Sequence, residues 1–227
     1  MESMYETLLR LPLFQGVSRA KLSEVIEKTP FHFLKFDDGQ PIAAAGDSCG
    51  HIRFVVSGSV RLTTASPHRR VTVSQTLASP AVIGPEYLFG LDTRYPFSVQ
   101  ARGQCGILQL TKADFINVVT SDRIFLLNTL NILSRGAQRC AANALSLSGG
   151  GAAEKIAHYI ISLTYKGAVD ITLTFRQKDL CQTLGTQRAS LMAALDKLSG
   201  DGIVDCGPSS LTVRDRASLM AVLSGEP

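Results

Sequence analysis

Phe175-Arg-Gln-Lys-Asp-Leu-Cys-Gln-Thr-Leu-Gly-Thr-Gln-Arg-Ala-Ser-Leu-Met-Ala-Ala-Leu-Asp-Lys-Leu198 reads as two short helices around a sharp corner. Leu180 and Leu184 lie one helical turn apart and face a core. Gly185 stands where the chain reverses, and glycine tolerates the positive φ that such a corner needs. Leu191, Leu195 and Leu198 then recur at four and three, an apolar stripe on the second helix. The polar face opposite begins with Thr186, Gln187, Arg188 and Ser190. Helix, glycine turn, helix is the helix-turn-helix pattern, whose second helix enters a DNA major groove. Any pair of packed helices in a small bundle shares it, so the flanking chain decides. Behind the second helix, Ser199-Gly-Asp-Gly202 stops it, and Ile203-Val-Asp-Cys206 and Leu211-Thr-Val213 read as a hairpin, the wing of a winged helix. Ahead of the pair, Val169 to Phe175 alternates apolar and polar as a half-buried strand does.

Working back toward the N-terminus, Ala152 to Tyr165 is an amphipathic helix with Ile156, Ile160 and Leu163 inward. It is preceded by Ser148-Gly-Gly-Gly151, where Gly149, Gly150 and Gly151 form a hinge. From Lys112 to about Leu147 the pattern is helical. Leu126, Leu130, Leu133, Ala137, Cys140, Ala144 and Leu147 alternate steps of four and three, the seam of a coiled coil. Packing against the chain's own β domain is the alternative, but an exposed seam on so long a helix needs a partner, and a homodimer is expected. From Phe31 to Leu110 short β-type runs are punctuated by Gly, Pro and Asp, as in an antiparallel barrel or roll. Before them Tyr5 to Lys28 is helical in pattern, with Ser18 as an N-cap. The expected class is α+β: an antiparallel β-roll of the double-stranded β-helix or jelly-roll type with flanking helices over 1–111, a central dimerisation helix over 112–148, a hinge over 149–151 and a winged helix-turn-helix over 152–227.

The 227 residues are 45% hydrophobic and 19% charged, a globular balance, with a formal net charge of +4 that is compatible with nucleic acid. No apolar run approaches the ~20 residues of a bilayer span, and the first residues lack a signal-peptide layout, so a cytoplasmic protein without membrane contact is expected. The five cysteines are scattered without Cys-x-x-Cys spacing, which suggests neither a zinc nor an iron–sulfur site. No Ser-His-Asp order, paired carboxylates, P-loop or metal triad points to an enzyme.

The order of β-roll, long helix, hinge and winged helix resembles the Crp–Fnr family of bacterial transcription regulators. Ala45-Gly-Asp47 followed by Phe54-Val-Val-Ser-Gly-Ser-Val-Arg-Leu62 is similar to the family's early β-roll signature. Gln177-Lys-Asp-Leu180 with Leu184-Gly-Thr-Gln-Arg188 is similar to its DNA-binding motif. The resemblance implies a homodimer on a double-stranded DNA operator, gated by an effector in the β-roll, and contact with RNA polymerase in an activator. Members that bind cyclic AMP carry a Glu for the ribose and an Arg for the phosphate. Ungapped matching puts Pro85 and Tyr95 there, beside Gly84, with Glu86 and Arg94 one position off. Cys140 and Ala141 fall where purine-contacting residues belong. Cyclic AMP is therefore disfavoured, since a buried phosphate needs its cation in place. No cysteine precedes Cys49, which argues against the iron–sulfur branch. His32, His51, His68 and Met192 show no readable haem spacing, and haem stays open by elimination only. In the recognition helix Arg188 matches the family's guanine-reading Arg, while Ala189 and Ala193 replace a Glu and a second Arg. The implied operator differs from the common one and is read by Gln187 and Arg188 with Ser190, Met192 and Thr186. Arg176, Gln177 and Lys178 contact phosphates.

Overall fold

The computed structural model describes residues 4–66, 70–146 and 150–224. The chain forms two compact units. The first comprises residues 1–61 and 78–137, and the second residues 62–77 and 138–227.

In the first unit, α1 (Met4–Arg10), a 3-10 turn (Pro12–Phe14) and α2 (Arg19–Lys28) precede the sheet. Ser18 caps α2 by accepting the Lys21 N–H at 3.2 Å. The strands are β1 (His32–Phe36), β2 (Pro41–Ala43), β3 (His51–Ala65), β4 (Val71–Ala78), β5 (Ala81–Ile83) and β6 (Phe97–Thr111). All of these belong here except the end of β3 and β4, of which only Ala78 does. β1 and β2 pair antiparallel with β6, and β5 pairs antiparallel with β3. In the sequence, residues 51–56 and 59–63 read as separate short runs where β3 lies, and 97–101 and 106–110 where β6 lies. Each is one strand of 15 residues. Gly58 takes φ +70° inside β3, so the strand bends without ending. A Cβ there would collide with the Gln104 carbonyl oxygen and lie 2.9 Å from Cys105, so the bend also lets β3 and β6 close on each other.

The expected single helix over 112–148 is two helices, α3 (Lys112–Ser121) and α4 (Arg123–Ser146). Asp122 between them is extended and its carboxylate accepts the Ile124 N–H at 2.7 Å, a new N-cap that restarts the helix. Phe125 is fully buried against Phe14, ring centroids 5.6 Å apart. The Asn128 amide donates to the carbonyls of Leu13 and Gln15, both at 2.9 Å, fixing the start of α4 to the N-terminal corner.

The second unit holds α5 (Ala152–Leu163), β7 (Val169–Phe175), α6 (Gln177–Leu184), α7 (Arg188–Gly200), β8 (Val204–Cys206), β9 (Ser210–Val213) and α8 (Arg216–Ser224). Its core comes from the stripes read in the sequence: Ile156 and Ile160 of α5, Leu180 and Leu184 of α6, Leu191, Leu195 and Leu198 of α7. Each such leucine contributes about 1.5–3 kcal/mol of burial. Of the glycines expected to form a hinge, Gly151 precedes α5 and Gly150 has φ +91°; Gly149 lies outside the described residues. A feature without sequence forewarning completes the sheet. The outer part of β4 pairs antiparallel with β7, from Val71 opposite Phe175 to Thr76 opposite Val169. The sheet of this unit therefore runs β4, β7, β9, β8.

Candidate DNA-binding and effector sites

Gly185 adopts φ +59° at the end of α6, the left-handed corner expected of it. The Thr186 N–H is held by the Cys181 carbonyl at 3.0 Å, which sets the direction in which α7 leaves. With Leu191, Ala194, Leu195 and Leu198 buried, the first turn of α7 presents Gln187, Arg188, Ala189 and Ser190 outward, all exposed. Ala193 is exposed one turn on, and Met192 is half-buried. Thr186 departs from the expected set. Its hydroxyl is buried and has no hydrogen-bond partner, so it faces inward and offers nothing to a groove. Arg176 and Lys178 are exposed at the start of α6, with Gln177 partly so. The wing is stiffened by Arg214, whose guanidinium donates twice to the Asp205 carboxylate across β8 and β9.

The first unit does not assemble the expected effector residues into one cluster. Tyr95 is 1% exposed and packs on Phe97, ring centroids 5.5 Å apart, while Tyr87 meets Phe97 edge-on at 5.8 Å. These rings close on Gly84, at φ +52°, where a Cβ would lie 2.9 Å from Phe97 and 3.1 Å from Tyr95. Arg94 points the other way. It is exposed, and its guanidinium donates to the Gly46 carbonyl at 3.1 Å. Successive strand residues face opposite sides, so the one-residue offset puts a phenol inside and the cation outside. Glu86 is exposed and Pro85 partly so. Cys140 is exposed and belongs to the other unit.

The Tyr95 hydroxyl donates to the His51 carbonyl at 3.4 Å, and the Arg53 guanidinium lies 3.4 Å from it and 5.8 Å from the ring centroid. Burial, then the hydrogen bond with Cys49, pushes the Tyr95 phenol above its ordinary range, with Arg53 opposing. Burial likewise raises the Cys49 thiol, and lowers His51, to which Arg53 and His32 add. Among the described residues no group of three His, Cys, Asp or Glu side chains is placed to hold a metal ion. Nor is any helix long and apolar enough to cross a membrane.

The residues of the expected dimer seam differ in exposure. Leu126 and Leu130 are 43% and 49% exposed, Leu133 is half-buried, and Ala137 and Cys140 are exposed. The Ala144 side chain and Leu147 lie outside what the structure describes.

Residues missed by the sequence reading sit on β4. Gln75 is 1% exposed. Its amide donates to the Leu163 carbonyl at 2.8 Å and accepts the Tyr165 N–H at 2.7 Å, fastening β4 to the end of α5. The one available signal was a glutamine inside an apolar strand, which has no period of its own to report a distant partner. Opposite it β7 bulges at Asp170, which takes φ +49°.

A model of the cyclic nucleotide-binding domain matches residues 33–122, and a model of the Crp-like helix-turn-helix domain matches residues 154–222. The cyclic AMP receptor protein of Thermus thermophilus is 25% identical over 219 residues, 94% of this chain and 97% of that protein. The crystal structure of the Thermus thermophilus catabolite activator protein superposes with a TM-score of 0.55 at 23% identity, covering 94% of this chain and 99% of that one. The c-di-GMP-responsive global regulator CLP of Xanthomonas campestris gives a TM-score of 0.51 at 18% identity, over 87% of this chain and all of that one. These two likenesses establish the shared fold.

Proposed function

The chain belongs to the Crp–Fnr family of transcription regulators, and on that premise we propose that it binds double-stranded DNA sequence-specifically as a homodimer, gated by a signal other than cyclic AMP. The observation that carries the DNA reading is the exposed first turn of α7, with Gln187, Arg188 and Ser190 outward on a helix anchored by Leu191, Leu195 and Leu198. An arginine so placed can donate two hydrogen bonds to guanine O6 and N7, while Arg176 and Lys178 neutralise phosphates and set register. The exposed Leu126 and Leu130 of α4 supply the apolar face for a second copy, and two copies place two recognition helices about one helical turn of DNA apart.

Cyclic AMP meets the wrong side chain. The position that the family gives to the phosphate-binding Arg holds the buried phenol of Tyr95, and the nearest cation in sequence, Arg94, is turned outward. A phosphate placed there would meet the buried Tyr95 ring, and the cation beside it, Arg53, is already engaged with the Tyr95 hydroxyl and the Gln109 amide oxygen.

Selection from a random duplex library tests the reading. Wild-type protein is expected to enrich a two-fold-symmetric motif. Arg188→Ala is expected to lose ~1–3 kcal/mol on that motif and to relax one base position in each half-site. Failure to enrich any motif, with affinity indifferent to salt, would favour a scaffold role, to which the exposed Ala189 and Ala193 are suited.

A further inference from the structure

The end of the β3–β4 hairpin is part of the winged-helix unit, and its register with β7 has a chemical consequence. Val71 pairs with Phe175 and Thr72 with Thr174. Extending that register one step past the ends of both strands sets Arg70 opposite Arg176. Residues directly opposite on paired strands share a face. Val71 and Phe175 are buried, so Arg70 and Arg176 fall on the outward face with Thr72 and Thr174. The Arg70 side chain is 56% exposed, and Arg176 and Lys178 are exposed at the first turn of α6. Arg70 Nη1 lies 3.6 Å from Asp179 Oδ1, beyond hydrogen-bonding distance, so the carboxylate holds the guanidinium over that first turn without saturating it.

We infer that Arg70 is a phosphate-contacting residue: the hairpin brings a further cation to the DNA backbone, beside Arg176 and Lys178. This rests on the DNA-binding reading above. The start of the first helix of a helix-turn-helix faces the sugar–phosphate backbone, and positive charge gathered there gains affinity by releasing counterions. The pair with Asp179 is no obstacle. Only the arginine side of the pair is solvated, the Arg70 side chain being 56% exposed and that of Asp179 12%, and at 3.6 Å the exposed guanidinium keeps donors free for a phosphate without leaving the carboxylate. The hairpin is fixed firmly enough to present the charge, through five register pairs with β7 and the two hydrogen bonds of Gln75.

The test is the salt dependence of binding to a labelled duplex, followed by fluorescence anisotropy in increasing potassium chloride. Arg70→Ala is expected to weaken binding several-fold at low salt and to lower the slope of log affinity against log salt by about 0.9, the value for one lost phosphate contact. Arg70→Lys is expected to keep the slope. Asp179→Asn is expected to bind as tightly as wild type or tighter, because it frees Arg70 and removes a negative charge. An unchanged slope in Arg70→Ala would overturn the inference. So would an equal loss in Arg70→Ala and Asp179→Asn, which would assign Arg70 to packing through the ion pair. Wild-type protein without salt-dependent binding would overturn the DNA-binding reading itself, and the role of Arg70 with it.

Discussion

Tyr95 shows how one side chain redirects a site. It stands where the family's phosphate-binding arginine is expected, and it is buried against Phe97 with its hydroxyl on the His51 carbonyl. Burial raises its pKa above the ordinary value of 10.0. The neutral phenol is thus favoured in the folded state. Below pH 10.0 both folded and unfolded chains are neutral and the contribution is complete. Above it the unfolded chain ionises first, and stability falls as pH rises toward the folded pKa. Urea midpoints are expected to drop between pH 9 and pH 11 more steeply in wild type than in Tyr95→Phe, the reference value of 10.0 lying between those points. Equal slopes would show that Tyr95 is not the group responsible. At this scale the sequence was informative where alternation applies: the offset of Arg94 from Tyr95 was readable, and opposite faces followed. It was uninformative for Thr186, whose inward hydroxyl depends on how α7 packs.

Among the elements, α6, α7 and the wing were legible because each carries its own period and its own stop. The boundary at Asp122 was not, since the apolar pattern runs through it; an N-cap hydrogen bond on Ile124 outweighs that continuity. Strand β4 was legible as a strand but not as the neighbour of β7, because alternation reports which face is buried and never which strand lies beside it. Gln75 makes that pairing measurable. Gln75→Ala would remove the Gln75 hydrogen bonds of the part-buried Leu163 carbonyl and Tyr165 N–H, and the expected loss is about 2 kcal/mol, about one for each bond. Thr72→Ala, on the outward face of the same strand, is expected to cost under ~1 kcal/mol. Denaturant unfolding of both variants checks this, and similar losses would show that Gln75 is no special fastening.

For the molecule as a whole, the question is what covers α4. Phe125 and Asn128 hold one side of the helix to its own unit, while Leu126 and Leu130 remain exposed. A second copy is the expected cover. Light scattering is expected to give twice the 24.4 kDa chain mass for wild type and the single-chain mass for Leu126→Glu/Leu130→Glu. The variant should keep its fold, since neither side chain is buried within the chain. A monomeric wild type would refute the dimer. Taken alone, the sequence determined the α+β class, the order of the elements, the corner at Gly185, the stripe of α7 and the outward Arg188, because helical and strand periods and glycine stops are local properties. Only the tertiary structure decided that residues 62–77 join the winged-helix unit, that Tyr95 and Phe97 close on Gly84, and that Arg70 comes to Asp179 of α6. Each of those depends on contacts between segments far apart in the chain, and no local pattern records them.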